Sequence, residues 1–307
     1  MKFPEIPNEV LEYVRRIFSD ANDKVSKALT LQPAIYEETL DHILVSNLSA
    51  EPAVFFDKSQ VALDIESHWL GSRHMYGRWE IADVALFVSA QISGRTISRK
   101  VALLQAKRLY SREIPSRELE PADYVIGIGR LLRFQETGVP LSRPRVFNFG
   151  KECVFGALSS GSDQIKRIDN YQDEVNIPVY YNFYCPTELP VSLVHPASPN
   201  DSENLKNNFG VRVMNADDVH SITNAQPYGS TAKLKDFLAN NESVFGDSLE
   251  AFVCDKLLQC KAGRLFGNSL EKDLEKLLSR RSNPISAAIS ITIDFAEEPH
   301  VWLEPKP

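Results

Sequence analysis

The chain has 307 residues and a formal net charge of −7 at pH 7, with 43% of its residues hydrophobic and 24% charged. This balance is that of a folded globular protein with enough apolar material for one large domain or two modest ones. The negative charge argues against a protein that coats nucleic acid over its whole surface, although it leaves room for a local basic face. Because no apolar run is long enough to span a membrane and the first residues lack signal-peptide features, we expect no membrane partner.

Cysteine usage indicates the compartment. The four cysteines are scattered along the chain, and no two of them form a CxxC pair: Cys153, Cys185, Cys254 and Cys260. This pattern predicts free thiols in a reducing environment, so we expect a cytoplasmic protein.

Two amphipathic helices are predicted near the start of the chain. The first lies within residues 5–30, where Val10, Val14 and Ile17 recur at helical spacing. The second begins after Pro33 and ends near Asn47, and its apolar residues form one stripe at spacings of three and four: Leu40, Ile43, Leu44 and Leu48.

Acidic residues open the second helix. Glu37 lies on the apolar stripe, Glu38 lies about a quarter-turn away, and Asp41 falls between them around the helix axis. A carboxylate on a buried face costs free energy unless another group pairs with it, which suggests a functional role for Glu37. The alternative is that Glu37 only stabilises the first helical turn, where acids are generally favoured.

The most informative stretch is residues 79–109, which predict two β-strands joined by a turn. Gly94 lies in the joining segment, where a hairpin turn is expected. Asp83 lies near the start of the first strand, and Gln105 and Lys107 share one face near the end of the second. Packing alone does not require these polar residues in otherwise apolar strands.

These residue types suit one kind of chemistry. The carboxylate of Asp83 and the side-chain carbonyl of Gln105 are hard oxygen ligands of the kind that Mg²⁺ or Mn²⁺ prefers. Lys107, on the same side, could orient or deprotonate a water molecule, or neutralise charge that develops on a phosphate. The pattern therefore favours a metal-assisted reaction at a phosphate group.

Asp83 followed by Gln105-Ala106-Lys107 resembles the PD-(D/E)xK, or restriction-endonuclease-like, nuclease superfamily, and within it the Mrr-type variants that carry Gln in place of Glu. The resemblance covers chiefly residues 35–110. It implies that a helix before the first strand supplies an acidic side chain to the metal. Glu37 fits this role because of the helix face on which it lies, and Glu38 is the alternative. The metal would then be held by Asp83, Gln105, Glu37 and the backbone carbonyl of Ala106, and Lys107 would assist the attacking water.

The resemblance implies a Mg²⁺- or Mn²⁺-dependent DNA endonuclease that acts in restriction or antiviral defence against foreign DNA. A neutral Gln in place of Glu removes one negative charge, so we expect weaker metal binding than in the usual site. Many nucleases of this kind act as dimers, which makes a homodimer one expectation, and an activating partner protein stays open. Two alternatives remain: a catalytically inactive module of this fold that binds nucleic acid or a protein, and a different α/β protein in which Asp83 and Lys107 form a structural ion pair.

The segment from Arg95 to Arg117 is locally basic. It contains seven basic residues and a single acid, Glu113, although the whole chain has a net charge of −7. Such segregation of charge is expected where phosphates bind. Tyr110, in the same segment, could stack on a base, and the alternative is an ordinary solvated loop. We predict four of the basic residues as DNA contacts: Arg99, Lys100, Arg108 and Arg112.

The remaining chain predicts a helix after Ser162 or Asp163, an aromatic strand that ends at Pro186, and a short strand at residues 211–214. Further helices are predicted at residues 234–238, 249–258 and 270–278, and a late strand at residues 287–295. The fold class is therefore α/β, with a central mixed β-sheet flanked by helices. We expect residues 1–190 to form the nuclease-like core and residues 191–307 to form a mostly helical extension packed on the same domain.

Overall fold

The computed structural model describes residues 2–49, 52–70, 81–114, 145–195, 209–239, 245–266 and 285–305. Within these residues the protein has an α/β architecture, with a large mixed sheet flanked by helices. This confirms the predicted fold class at that level. The helix predicted at residues 270–278 lies outside the described residues.

The first two helices follow the predicted apolar stripes. Helix α1 (Asn8–Leu31) buries Val10, Val14 and Ile17, and helix α2 (Glu37–Leu48) buries Leu40 and Leu44. Helix α3 (Asp163–Val175) is capped by Ser162, whose hydroxyl accepts a hydrogen bond from the backbone N–H of Ile165. Among the described residues, the other helices are α4 (Ala216–Asn224), α5 (Leu234–Leu238) and α6 (Leu249–Ala251), and α6 continues into a π-helical turn (Phe252–Leu257).

The strands, in chain order, are β1 (Phe3–Pro4), β2 (Val54–Phe56), β3 (Val61–Trp69), β4 (Ala82–Ile92), β5 (Arg95–Tyr110), β6 (Arg112–Ile114), β7 (Arg145–Phe149), β8 (Val154–Ser159), β9 (Val179–Pro186), β10 (Val191–His195), β11 (Phe209–Asn215), β12 (Thr231–Lys233), β13 (Asp247–Ser248), β14 (Arg264–Phe266), β15 (Ile285–Phe295) and β16 (Trp302–Leu303). The main sheet has the order β13-β11-β9-β5-β4-β15-β3-β2, with β8 and β14 also paired to β5. Strand β5 is parallel to β9, and β4 is parallel to β15, while β4 and β5 are antiparallel. A smaller sheet has the order β10-β7-β6.

Strands β4 and β5 form the predicted hairpin. Ser93 and Gly94 join them, with φ angles of 50° and 79° respectively, and positive φ at both central residues is the geometry that matches the twist of a two-residue hairpin. Leu104 pairs with Val84, near the start of β4, whereas β5 runs on to Tyr110. The end of β5 therefore extends past the beginning of β4.

The C-terminal part of the chain completes the main sheet. Strand β15 lies between β4 and β3, where Ile291 pairs with Val88 on one side and with Ile65 on the other. Strands β11 and β13 also come from beyond residue 190 and join the same sheet. The described C-terminal residues do not confirm a mostly helical extension, because they supply strands of the main sheet whose apolar side chains are buried.

Two further expectations bear on the chain as a whole. All four cysteines are free and buried. Among the described residues, no helix is both long enough and apolar enough to cross a membrane.

Candidate functional site

The predicted site residues come together where β4 begins and β5 runs past it. Asp83 is the second residue of β4, Gln105 and Lys107 lie near the end of β5, and Glu37 is the first residue of α2. Helix α2 packs across β5, β15 and β3, which brings its first turn to this end of the sheet. We call Glu37, Asp83, Gln105 and Lys107 the strand-end cluster.

Asp83 is held by two neighbours on β5. Its Oδ2 accepts a hydrogen bond from the backbone N–H of Ala106 at 2.7 Å and another from the side-chain amide of Gln105. The same amide nitrogen of Gln105 lies 3.4 Å from the carbonyl oxygen of Ala106. The oxygens of two predicted metal ligands, Asp83 and Ala106, thus both lie near the side-chain amide nitrogen of Gln105, which occupies the position between them.

The other end of the Gln105 amide is unusual. Among the described residues, its Oε1 is buried and has no hydrogen-bond partner, and the same is true of Oδ1 of Asn182, which lies beside Ala106 on β9. Buried carbonyl oxygens nearly always accept a hydrogen bond. An oxygen without one therefore indicates a position where a donor or a cation could bind. An amide oxygen next to a carboxylate is a ligand type that Mg²⁺ accepts.

Glu37 links α2 to the end of β5. Its Oε1 lies 3.6 Å from the ammonium nitrogen of Lys107, and its Oε2 accepts a hydrogen bond from the backbone N–H of Arg108 at 2.6 Å. Lys107 is only 3% exposed, so its charge is held inside the protein beside a carboxylate. Burial raises the pKa of Glu37, the charge of Lys107 opposes that shift, and the charge of Asp83 adds to it.

The two acids that open α2 lie in different surroundings. Glu37 faces the strand-end cluster, whereas Glu38 is exposed. The apolar stripe predicted this difference, because Glu37 lies on the face of the helix that packs against the sheet.

Sequence reasoning gave no role to Asp41, although the structure places it in the same group of charges. Asp41 is 4% exposed and accepts a hydrogen bond from the hydroxyl of Tyr184 on β9. Burial raises the pKa of Asp41 well above its ordinary value, and the negative charges of Asp83 and Glu37 add to the shift. Its position four residues after Glu37 was the available signal, because residues at that spacing share one helical face.

Two of the four predicted DNA contacts are interior residues. Lys100 is 1% exposed and donates a hydrogen bond from its ammonium group to the carbonyl of Leu257 at 2.6 Å, and burial lowers its pKa to about 8. Arg108 is 3% exposed and donates from its guanidinium to the carbonyls of Ile35, at 2.5 Å, and Pro33. The prediction that these two residues contact phosphates is therefore corrected, because their charged groups are committed to buried carbonyls.

The other two predicted contacts retain surface positions. Arg112 is exposed at the start of β6, and Arg99 is half-buried in β5. Within the part of the chain that the structure describes, no three or more His, Cys, Asp or Glu side chains form a group that could hold a metal ion. A metal at the strand-end cluster would therefore need the amide oxygen of Gln105 and the backbone carbonyl of Ala106 as well as carboxylates.

Together the fold and the cluster define an α/β protein whose mixed sheet carries carboxylate, amide and lysine side chains at one strand end. Comparison of the chain with protein-family models, with curated proteins and with solved structures found no match. The function is therefore argued from the chemistry of the cluster.

Proposed function

We propose that this protein is a Mg²⁺- or Mn²⁺-dependent endonuclease that hydrolyses phosphodiester bonds in DNA. The observation that carries the proposal is the meeting of Asp83, Gln105, Lys107 and Glu37 at the point where β5 runs past the start of β4. Two carboxylates, an amide and an ammonium group at one strand end supply both metal ligands and a cation for a phosphate.

The residues present fit a hard divalent cation. Asp83, Glu37, the Oε1 of Gln105 and the carbonyl of Ala106 would hold it, and Oε1 of Gln105 is the buried oxygen that has no partner among the described residues. Rotation of the terminal amide of Gln105 would exchange its nitrogen and oxygen, and this torsion has a broad, roughly two-fold preference. When bound, the cation would polarise the phosphate and lower the pKa of a bound water.

The chain's own residues then have separate roles. The backbone N–H of Ala106 fixes the carboxylate of Asp83, and the N–H of Arg108 fixes that of Glu37. Glu37 holds the ammonium group of Lys107, which can donate a hydrogen bond to a water or to a phosphate oxygen. The low exposure of Lys107 strengthens these interactions, because little water screens them.

A second candidate function has an observation of its own. The amide nitrogen of Gln105 already donates toward both Asp83 and Ala106, and so it fills the place of a cation without any metal. A protein that relied on this arrangement would keep the fold as a module for binding nucleic acid or a protein partner. A role in restriction or defence, a homodimer and an activating partner remain expectations, and the free, buried cysteines support a reducing, cytoplasmic location.

Plasmid cleavage tests the proposal. We expect wild-type protein with Mg²⁺ or Mn²⁺ to nick supercoiled DNA, and we expect Asp83→Ala and Lys107→Ala to lower the rate at least about 100-fold. Asp23→Ala and Lys27→Ala are matched controls, since both residues are exposed on α1, and they should leave the rate unchanged. Thermal melting of each variant separates a lost site from a lost fold.

The outcomes discriminate between the two candidate functions. Metal-dependent nicking that disappears in both cluster variants supports hydrolysis at this site. Nicking that persists in Asp83→Ala and Lys107→Ala would show that the activity lies elsewhere. DNA binding by a wild-type protein that does not cut, unchanged by Lys107→Ala, would favour the binding module.

A further inference from the structure

Two exposed tyrosines lie next to the strand-end cluster. Tyr36 is 78% exposed and directly precedes Glu37, and Tyr110 is 42% exposed at the end of β5, beyond Lys107. Tyrosine combines an apolar ring with a polar tip, which suits binding surfaces.

Arg108 holds the two tyrosines near the cluster. Its backbone N–H donates to Glu37 and its guanidinium donates to the carbonyl of Ile35, so both neighbours of Tyr36 in the chain are tied to this one residue. The same guanidinium lies 4.8 Å from the centre of the Tyr110 ring. The backbone around Tyr36 and the ring of Tyr110 therefore both lie near Arg108, next to the pair formed by Glu37 and Lys107.

The neighbouring strand leaves room for the Tyr110 ring. Tyr110 pairs with Val154 of β8, and a Cβ atom added at Gly156 would lie 2.4 Å from Cε2 of Tyr110. A side chain at position 156 would thus push the ring aside. An aromatic ring that is already positioned loses little freedom when a ligand binds, which favours affinity.

Among the described residues, the surface beside the tyrosines offers few cations to a phosphate backbone, so binding there depends on the aromatic rings. Lys100 and Arg108 are turned inward, and the exposed Glu38 and the partly exposed Glu37 follow Tyr36 in the chain. A duplex presents phosphates on its outside and hides the faces of its bases in the stack. A single strand exposes those faces, and aromatic side chains bind them by stacking.

We propose that Tyr36 and Tyr110 form a stacking platform that binds the unpaired bases of a single-stranded nucleic acid beside the strand-end cluster. This inference rests on the proposed function and specifies its substrate class. The platform would bring the backbone of an unpaired segment next to Lys107. Stacking recognises every base, so the platform gives little sequence preference.

Fluorescence anisotropy with a labelled oligonucleotide tests the platform. The same mixed sequence is offered as single-stranded DNA, as single-stranded RNA and as duplex DNA, all with EDTA present so that no strand is cut. We expect single strands to bind at least about tenfold more tightly than the duplex, and Tyr36→Ala and Tyr110→Ala each to weaken that binding about tenfold. Tyr36→Phe and Tyr110→Phe keep a stacking ring and should bind like wild type.

Two further variants sharpen the test. Gly156→Ala keeps both tyrosines but displaces the ring of Tyr110, and it should weaken single-strand binding as Tyr110→Ala does. Tyr228→Ala removes a tyrosine that is 83% exposed and lies against Gly161, and it should leave binding unchanged. Because both platform tyrosines are exposed, their replacement by Ala should leave the melting temperature near that of wild type.

Each outcome decides the inference. Absence of binding by the wild type, equal affinity for single strand and duplex, or normal binding by both Ala variants overturns it, and comparison of DNA with RNA shows which sugar the surface accepts. Because binding is measured without metal, a loss of single-strand binding can be distinguished from a loss of DNA hydrolysis. If nicking occurs and single-strand binding does not depend on the tyrosines, the proposed hydrolysis is supported and the platform is not. If single-strand binding depends on the tyrosines and no nicking occurs, the platform is supported and the hydrolysis is not.

Discussion

Gln105 decides the charge of the strand-end cluster. It is 3% exposed, donates to Asp83 and Ala106, and adds no charge of its own. A glutamate in its place would lack the N–H donors and would bring a second carboxylate against Asp83. The identity of this one residue therefore sets a balance between stability without metal and affinity for metal.

We expect Gln105→Glu to destabilise the metal-free protein and to increase its response to metal. Two buried carboxylates in contact repel each other, and the uncompensated charge should cost about 3 kcal/mol. A divalent cation would relieve the repulsion, so Mg²⁺ or Mn²⁺ should raise the melting temperature of the variant more than that of wild type. Differential scanning fluorimetry with and without metal measures both effects.

Gln91→Glu is the matched control for this change, since Gln91 is only half-buried at the other end of β4. It should alter neither the stability nor the metal response appreciably. An equal metal response in wild type and Gln105→Glu would count against a cation site at Gln105.

Asp41 predicts a pH dependence of stability. Burial raises the pKa of Asp41 well above its ordinary value, so the folded protein holds a proton that the unfolded chain has released. Stability from this group is therefore greatest at low pH and falls as pH rises from the ordinary carboxyl pKa toward the raised one, by up to about 1.4 kcal/mol per pH unit. Asn cannot release a proton, so Asp41→Asn should gain stability relative to wild type as pH rises.

Urea unfolding from about pH 4 to about pH 8 measures this difference, since the range spans the window in which a raised carboxyl titrates. Glu38→Gln is a suitable control on the same helix, because Glu38 is exposed. Parallel stability curves for wild type and Asp41→Asn would show that Asp41 stays ionised in the folded protein.

Among the elements, the β4–β5 hairpin has a turn that only certain residues fit. Gly94 has a φ angle of +79°, and a Cβ atom added there would meet nothing within 4 Å. Gly94→Ala should therefore destabilise the protein by about 1 kcal/mol through backbone strain alone. Gly150→Ala is the control, because a Cβ there also meets nothing within 4 Å and the backbone is not in the left-handed region. Thermal unfolding of both variants measures the difference, and an equal change in both would contradict the strained turn.

Local pattern predicted the elements well. The apolar stripes predicted α1 and α2, Gly94 marked the hairpin turn, and Ser162 marked the start of α3, because each of these signals acts over a few residues. The site was predicted as far as it depends on the two strands and one helix that carry Glu37, Asp83, Gln105 and Lys107. The number of basic residues in this segment led to the prediction that Lys100 and Arg108 contact DNA. Both residues are buried, because other parts of the protein cover β5 at those positions, and sequence spacing does not show this.

Pairings between distant strands were not predicted. Alternation identified the late strand, but nothing in its sequence indicates that β15 lies between β3 and β4 or that it runs parallel to β4. Tyr184 and Asp41 were missed for the same reason, since their hydrogen bond joins β9 to α2 across 143 positions of the chain. Such contacts follow from the order of strands in the sheet, which periodicity does not encode.

At the scale of the whole molecule, the position of β15 makes the two ends of the chain interdependent. Without β15, both β3 and β4 would lose a hydrogen-bonded neighbour, and apolar residues in β4 would lose their cover. A chain that ends at residue 284 should therefore lack a cooperative unfolding transition and show rapid amide exchange in β4. A chain that ends at residue 298 loses only β16, which pairs with β1 in a separate two-stranded sheet, and should still fold.

Single substitutions in β15 give a graded form of the same prediction. Ile291 is fully buried between Val88 and Ile65, so Ile291→Ala should cost about 3 kcal/mol, whereas Ser290→Ala, at a half-buried neighbour, should change stability by less than about 0.5 kcal/mol. Because β4 carries Asp83 at its start, loss of β15 should also disturb the strand-end cluster, even though β15 contributes no residue to it. Chemical denaturation of Ile291→Ala and Ser290→Ala measures the stability difference. A folded, cooperative protein that ends at residue 284 would show that the N-terminal part is an independent domain.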